Sequence, residues 1–303
     1  MPDTFWTIWH LTIYSGFAAL AATLLGAVAW NRPRAGSWRA AIPPGYGWAV
    51  MGVPIFALSG IGDALWHTLF GVEASTDALL SPTHLLAGVA AALMVTGPFR
   101  ADAYRTAVGV NIGRGWPRML SLILFFAQLQ FFTQFAGPYA DVIAGGLRGN
   151  YDTLERQFLG AYLYSALLVG ILLVALRRPP LPFGALTLML GGTSAAMVTM
   201  VGDWPMHVQL TQVGIAVAAG IVADALLLRL RPSYQRVGAL RAASFAVPAS
   251  LFAIYLLVAI ARFGTWYSVH AITGLILVSG MVGLLLSYVA LPPRGAGEIP
   301  RAD

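Results

Sequence analysis

Two short segments of the chain carry an aspartate and two histidines at spacings that suit a metal site. In Gly62-Asp63-Ala64-Leu65-Trp66-His67 the carboxylate and the imidazole are four positions apart, so on a helix they share one face. Ser81-Pro82-Thr83-His84 has a capping serine followed by a proline, which predicts a helix start with His84 in its first turn. We expect Asp63, His67 and His84 to converge from two antiparallel helices joined by a short loop.

The donor atoms of this group limit its chemistry. An aspartate with two histidines is a plausible ligand set for copper, zinc or iron, and it does not select among them. The chain has no cysteine, which excludes disulfides, thiolate metal sites and iron–sulfur clusters. Glu73 and Asp77 lie in the polar segment between the two motifs. They are either partners that orient a histidine ring or ordinary solvated charges.

A second segment repeats the aspartate-to-histidine spacing. Gly202-Asp203-Trp204-Pro205-Met206-His207 has two interpretations, because Pro205 interrupts a continuous helix. In one, Asp203 and His207 bind a second metal ion, with His270 as a further ligand. In the other, Asp203 caps a helix and His207 is an interfacial histidine. His270 and His10 have no motif of their own, so whether His10, Glu73 or His270 joins the first site stays open.

The composition indicates that the solvent of this protein is lipid. Hydrophobic residues make up 58% of the 303 residues and charged residues 10%, with a mean hydropathy of +0.74. A soluble domain has about 25% charged residues. We therefore predict an all-α, polytopic transmembrane helical bundle in the cell membrane, with a single domain over 1–290 and a short cytoplasmic tail over 291–303. About nine spans are expected, at roughly 5–30, 46–70, 82–99, 117–136, 157–176, 182–202, 206–228, 243–262 and 266–290.

The arginines predict the orientation of these spans. Of the 18 arginines, 15 fall on alternate loops, and by the positive-inside rule those loops are cytoplasmic. The N-terminus is then outside, the C-terminus is cytoplasmic, and all five histidines lie toward the outer face. The formal charge of +6 thus reflects topology, and no nucleic-acid partner is expected. The chain has no lysine, which excludes a retinal Schiff base and lysine-based covalent catalysis.

These motifs resemble a membrane-embedded subunit of the copper membrane monooxygenases, the particulate methane and ammonia monooxygenases. The resemblance rests on Asp63-x-x-Trp66-His67 followed by Ser81-Pro82-Thr83-His84. It implies copper bound by Asp63, His67 and His84 near the outer side of the membrane. It further implies a monooxygenase-like oxidoreductase with a small apolar substrate from the lipid, and partner subunits. The segment from Asp203 to His207 is similar to a second metal-binding stretch of that family.

Other functions fit the same histidines. A transport or metal-handling protein would use the outer cluster as an entry site for ions. A haem-binding electron-transfer protein would use two histidines from facing helices as axial ligands. In each case the lipid bilayer is a partner, and the chain works either with partner subunits or as a homo-oligomer.

Overall fold

The computed structural model describes residues 8–71, 76–107, 109, 115–137, 151–178, 181–201 and 205–292. The described residues are helical and contain no strand. The helices are α1 (Ile8–Ala35), α2 (Trp38–Ala41), α3 (Gly47–Phe70), α4 (Thr76–Leu80), α5 (Pro82–Val95), α6 (Gly97–Ala107), α7 (Trp116–Phe132), a short 3₁₀ turn (Gln134–Ala136), α8 (Tyr151–Leu176), α9 (Ala185–Val201), α10 (Met206–Leu230), α11 (Val237–Phe263) and α12 (Val269–Ala290). The predicted all-α class is confirmed.

Among these described residues, seven stretches are long and apolar enough to cross a membrane. They are α1, α3, α8, α10, α11, α12 and the stretch Pro82–Ala107 that α5 and α6 form together. The protein is thus a multi-pass membrane protein in contact with the lipid bilayer. The other two predicted spans correspond to α7 and α9, which have 17 residues each and are at the short limit for crossing. The count of nine and the orientation stay predictions.

The chain divides into two compact units, residues 1–128 and 129–303, with the boundary inside α7. In the first unit, α3 packs along α5 and also contacts α1. Its core contains Val53 and Phe56 of α3 with Ala90 and Met94 of α5. At Gly52 a β-carbon would lie 2.8 Å from the Ala90 carbonyl oxygen, so only glycine permits this close approach of α3 and α5.

The second unit is a bundle in which α9 packs on α10, α10 on α11, α11 on α12 and α12 on α8. Asp224 of α10 is buried and caps the start of α9. Its carboxylate accepts hydrogen bonds from the backbone N–H groups of Leu186 (3.1 Å) and Thr187 (3.0 Å) and from the Thr187 hydroxyl (2.7 Å). These bonds satisfy backbone donors that a helix start leaves unpaired. The interpretation of 1–290 as a single domain stays a prediction.

Candidate metal centre

Four side chains of the first unit converge at one end of α1, α3 and α5. The Nε2 atoms of His67 and His84 lie 3.4 and 3.5 Å from carboxylate oxygens of Asp63, and Nε2 of His10 lies 3.9 Å away. Each of the four residues offers a ligand atom within 4.8 Å of the others. Asp63 is 4% exposed, so its carboxylate is largely removed from water. A carboxylate in that setting needs a compensating charge or hydrogen bonds.

Local helix geometry explains how α3 and α5 place their ligands. Asp63 and His67 are four residues apart on α3, which ends at Phe70, while Gly71 continues with φ of 84°. Ser81 caps α5, since its hydroxyl oxygen accepts from the backbone N–H of His84, and Pro82 follows as the first helical residue. The last turns of α3 therefore meet the first turn of α5. His10 comes from α1, where it precedes Tyr14 by one turn.

Gly60 of α3 allows α1 to approach closely enough for His10 to reach the group. A β-carbon at Gly60 would lie 3.1 Å from the Tyr14 ring, so the ring packs directly on the α3 backbone. The His10 and His84 rings are nearly parallel, with an interplanar angle of 4° and centroids 6.4 Å apart. His10 thereby occupies the side of Asp63 that α3 and α5 leave to α1.

The hydrogen bond on the far side of His67 determines which nitrogen faces Asp63 with a lone pair. Nδ1 of His67 lies 3.2 Å from the Gly71 carbonyl oxygen, which can only accept, so Nδ1 carries the proton. A neutral His67 then directs the Nε2 lone pair at the carboxylate, 3.4 Å away. Two acceptors at that distance repel each other unless a cation lies with them. A metal ion or a second proton on the ring would provide that positive charge.

Two hydroxyl groups hold the remaining ligands. The Thr83 hydroxyl donates to Oδ1 of Asp63 at 2.7 Å, and Ser81 Oγ lies 2.7 Å from Nδ1 of His84. The two hydroxyl oxygens are themselves 3.2 Å apart. When Ser81 donates to Thr83, it accepts from Nδ1–H of His84, and Nε2 of that ring then directs its lone pair toward Asp63. Hydrogen bonds of this kind orient the ligands of metal sites.

The dimensions of the group suit one bare ion. Zn–N and Zn–O distances of about 2.0–2.1 Å in a tetrahedral site put neighbouring ligand atoms about 3.3–3.4 Å apart. The contacts of Asp63 with His67 and His84, at 3.4 and 3.5 Å, are close to that spacing. Haem iron would instead need its macrocycle in the plane between two axial ligands. In this group the Asp63 carboxylate lies among the imidazoles.

Loss of either hydroxyl should weaken metal binding without removing a ligand. We expect Thr83→Val and Ser81→Ala each to lower the affinity by about 10-fold, the low end of the 10–100-fold usual for such partners. Titration of the metal-free protein with Zn²⁺ would measure this. Thr68→Val is the control, because the Thr68 hydroxyl donates to the Ala64 carbonyl of its own helix. Unchanged affinity in both Thr83→Val and Ser81→Ala would contradict the positioning role.

The other predicted site residues are not members of this group. His207 and His270 are exposed second residues of α10 and α12, in the second unit. Asp203 and Glu73 lie outside the described residues, and Asp77 is exposed in α4. Binding of metal by Asp63, His67, His84, Asp203, His207 and His270 stays a prediction. His10 was an open possibility from the sequence, and the structure brings it to the first group.

Comparison with known proteins gives one local match. The chain is 35% identical over 89 residues to a Heme A synthase of Rhizorhabdus wittichii. The match covers 28% of this chain and 23% of that relative, so the chain spans about a quarter of the length of the curated protein it matches. No protein-family model matches the chain, and no solved structure matches it.

The predicted kinship with the copper membrane monooxygenases is wrong. The curated protein that the chain matches is a Heme A synthase, and the copper and monooxygenase activity inferred from the resemblance lose that support. The physical reason is that Asp63 and His67 are spaced by one helical turn, and a capped helix start carries His84. Any pair of antiparallel helices that brings such ligands together uses these spacings, so they do not identify a family.

Proposed function

We propose that this protein is an integral membrane metalloprotein that holds one first-row transition metal ion between His10, Asp63, His67 and His84. The observation that carries the proposal is the convergence of three imidazole Nε2 atoms on one buried carboxylate, at 3.4 to 3.9 Å. Three imidazoles and a carboxylate suit zinc, copper or iron. By the positive-inside rule the ion would lie toward the outer face of the membrane.

The ligands differ in how firmly the protein holds them. Asp63 and His67 have side chains only 5% and 7% exposed, whereas those of His10 and His84 are 19% and 27% exposed. Nε2 of His10 is also the most distant from the carboxylate. Asp63, His67 and His84 would therefore form the fixed part of the site. His10 would close the fourth position, where a small ligand could compete with it, as in metal sites that keep one position open.

Metal content tests this proposal. Protein purified from membranes is expected to carry about one ion per chain, and His67→Ala/His84→Ala is expected to carry none, because two of the inner ligands are gone. The matched control is His207→Ala/His270→Ala, which removes two exposed histidines of the second unit and should keep the ion. Elemental analysis of the three proteins identifies the metal as well. Equal metal content in the wild-type protein and the His67/His84 variant would rule the site out.

The local match to a Heme A synthase favours haem binding as a second candidate function. The histidines available for it are His207 and His270, at the starts of α10 and α12. Both helices pack on α11 through short connections, so they run parallel and their starts lie at one end of the second unit. Paired histidines are common axial ligands of haem iron.

An absorption spectrum separates the second candidate from the first. Haem bound in the second unit predicts a Soret band in the purified protein that His207→Ala/His270→Ala loses and His67→Ala/His84→Ala keeps. A purified protein that binds no haem when haem is added would contradict this second function. The metal ion of the first unit would not be affected by that result.

A further inference from the structure

A cavity of about 330 Å³ lies in the second unit, where α8 and α10 end and α9 begins. Leu176 of α8, Leu227 and Leu228 of α10 and Phe183, which precedes α9, supply much of its wall. Phe183 and Leu228 are each 59% exposed, so the apolar wall is open to the surroundings of the helices. The volume is in the range of ligand-binding pockets, about 300–1,000 Å³. The wall suits a hydrocarbon chain.

The one acidic residue in the cavity wall has its charge compensated. Asp224 accepts hydrogen bonds from Leu186 and Thr187 at the start of α9, with distances of 2.7 to 3.1 Å. The positive end of the α9 dipole lies at the same place, and it stabilises a carboxylate there. Asp224 is therefore a structural part of the wall, and the charge left for a ligand comes from the arginines.

Two arginines lie together at the rim. Arg231 lines the cavity directly after α10, and the guanidinium of Arg236 donates to the Arg231 carbonyl oxygen at 3.4 Å. Arg231 is the one described residue other than glycine with a positive φ, 47°. That conformation costs roughly 1–2 kcal/mol for an L-residue, and glycine would avoid the cost. An arginine at this position adds a positive charge to the cavity that glycine would not.

We propose that this cavity binds an anionic phospholipid of the bilayer. The phosphate group would contact Arg231 and Arg236, and an acyl chain would lie along Leu227, Leu228 and Phe183. Arg231 directly follows a helix long enough to span the membrane, so the rim is at the level where lipid headgroups lie. Basic pockets at helix ends on the cytoplasmic side are known to bind such headgroups. The proposal does not depend on the metal site.

The argument favours a lipid over a small anion because the cavity is mainly apolar. A free phosphate ion would use the two guanidinium groups and leave the leucine and phenylalanine surface exposed to water. A neutral lipid would use the apolar wall and leave the arginines without an anion. Only an anionic lipid uses both parts, and it is present at high local concentration in the bilayer around the helices.

Native mass spectrometry of the full chain in detergent tests the proposal, with phosphatidylglycerol and phosphatidylcholine as probes. We expect the wild-type protein to retain phosphatidylglycerol at least about 10-fold more strongly, since each arginine near a headgroup contributes about 1 kcal/mol. Arg231→Gln/Arg236→Gln should lose this preference. The control Arg39→Gln/Arg105→Gln removes two exposed arginines of the first unit and should keep it.

Two further arms locate the lipid and identify its source. Leu227→Trp fills the cavity and leaves both arginines in place, so it should reduce phosphatidylglycerol retention, and the variant also covers the case in which the arginine variant does not fold. Glycerol phosphate in large excess should not displace the lipid. The proposal is overturned by an equal loss in the control pair, by unchanged retention in Leu227→Trp, or by displacement with glycerol phosphate.

Discussion

Asp63→Ala is expected to lower the metal affinity of the protein by more than about 100-fold, beyond the 10–100-fold typical of losing an outer partner. The Asp63 carboxylate contacts Nε2 of His67 and His84 at 3.4 and 3.5 Å and Nε2 of His10 at 3.9 Å. It is also the one anionic ligand of the group, so its loss leaves three neutral imidazoles to hold a divalent ion. Isothermal titration of the metal-free protein with Zn²⁺ measures the change.

The controls for this experiment separate charge from shape. Asp63→Asn keeps the size of the side chain and an oxygen that can accept from the Thr83 hydroxyl, and we expect it to lose affinity nearly as strongly because the charge is gone. Asp77→Ala removes an exposed carboxylate of α4 and should bind metal as the wild type does. Wild-type affinity in both Asp63 variants would show that the ion, if bound, lies elsewhere.

Gly52→Leu is expected to damage the metal site from a distance, because it forces α3 and α5 apart. A β-carbon at Gly52 would lie 2.8 Å from the Ala90 carbonyl oxygen and 2.8 Å from Cγ of Met94, both on α5. Overpacking of this kind costs about 1–3 kcal/mol or more. Asp63 and His67 come from α3 and His84 from α5, so we expect a loss of affinity of at least about 10-fold.

Gly220→Leu provides the matched control for Gly52→Leu. Gly220 of α10 packs against α9, and a β-carbon there would lie 2.9 Å from the backbone nitrogen of Thr187. The variant should lower the thermal stability of the protein to a similar degree, yet leave the metal affinity unchanged, because it acts in the second unit. Thermal unfolding and Zn²⁺ titration of both variants give the comparison. Equal metal affinity in the two variants would contradict the placement of the site between α3 and α5.

The sequence predicted the juxtaposition of Asp63, His67 and His84 because local rules govern it. One helical turn separates the first two, and the Ser81-Pro82 cap determines where His84 begins α5. A short connection then brings the end of one helix to the start of the next. His10 could not be assigned in this way. Its place depends on the packing of Tyr14 against Gly60, a tertiary contact between residues far apart in the chain.

The membrane helices were predictable from apolar composition, but their number was less certain. α7 and α9, with 17 residues each, are apolar segments at the length where span and buried helix cannot be told apart by hydropathy. The partner of Asp224 was also beyond local reasoning. Arg229 stands one turn along the same helix, whereas the carboxylate binds the start of α9, some 37 residues earlier in the chain.

The family inference shows what a short motif can and cannot support. Asp63, His67 and His84 predict a place where an ion would bind, since the donor types and spacing carry that chemistry. They do not carry information on the rest of the chain, where the match found is to part of a Heme A synthase. The metal site therefore has to be judged on its own geometry.

Anomalous diffraction from crystals of the purified protein, recorded on both sides of the absorption edge of the metal it contains, tests the central claim most directly. The account predicts one strong anomalous peak about 2.0–2.2 Å from Nε2 of His67, Nε2 of His84 and a carboxylate oxygen of Asp63. A metal-loaded crystal without a peak between these three side chains would contradict it.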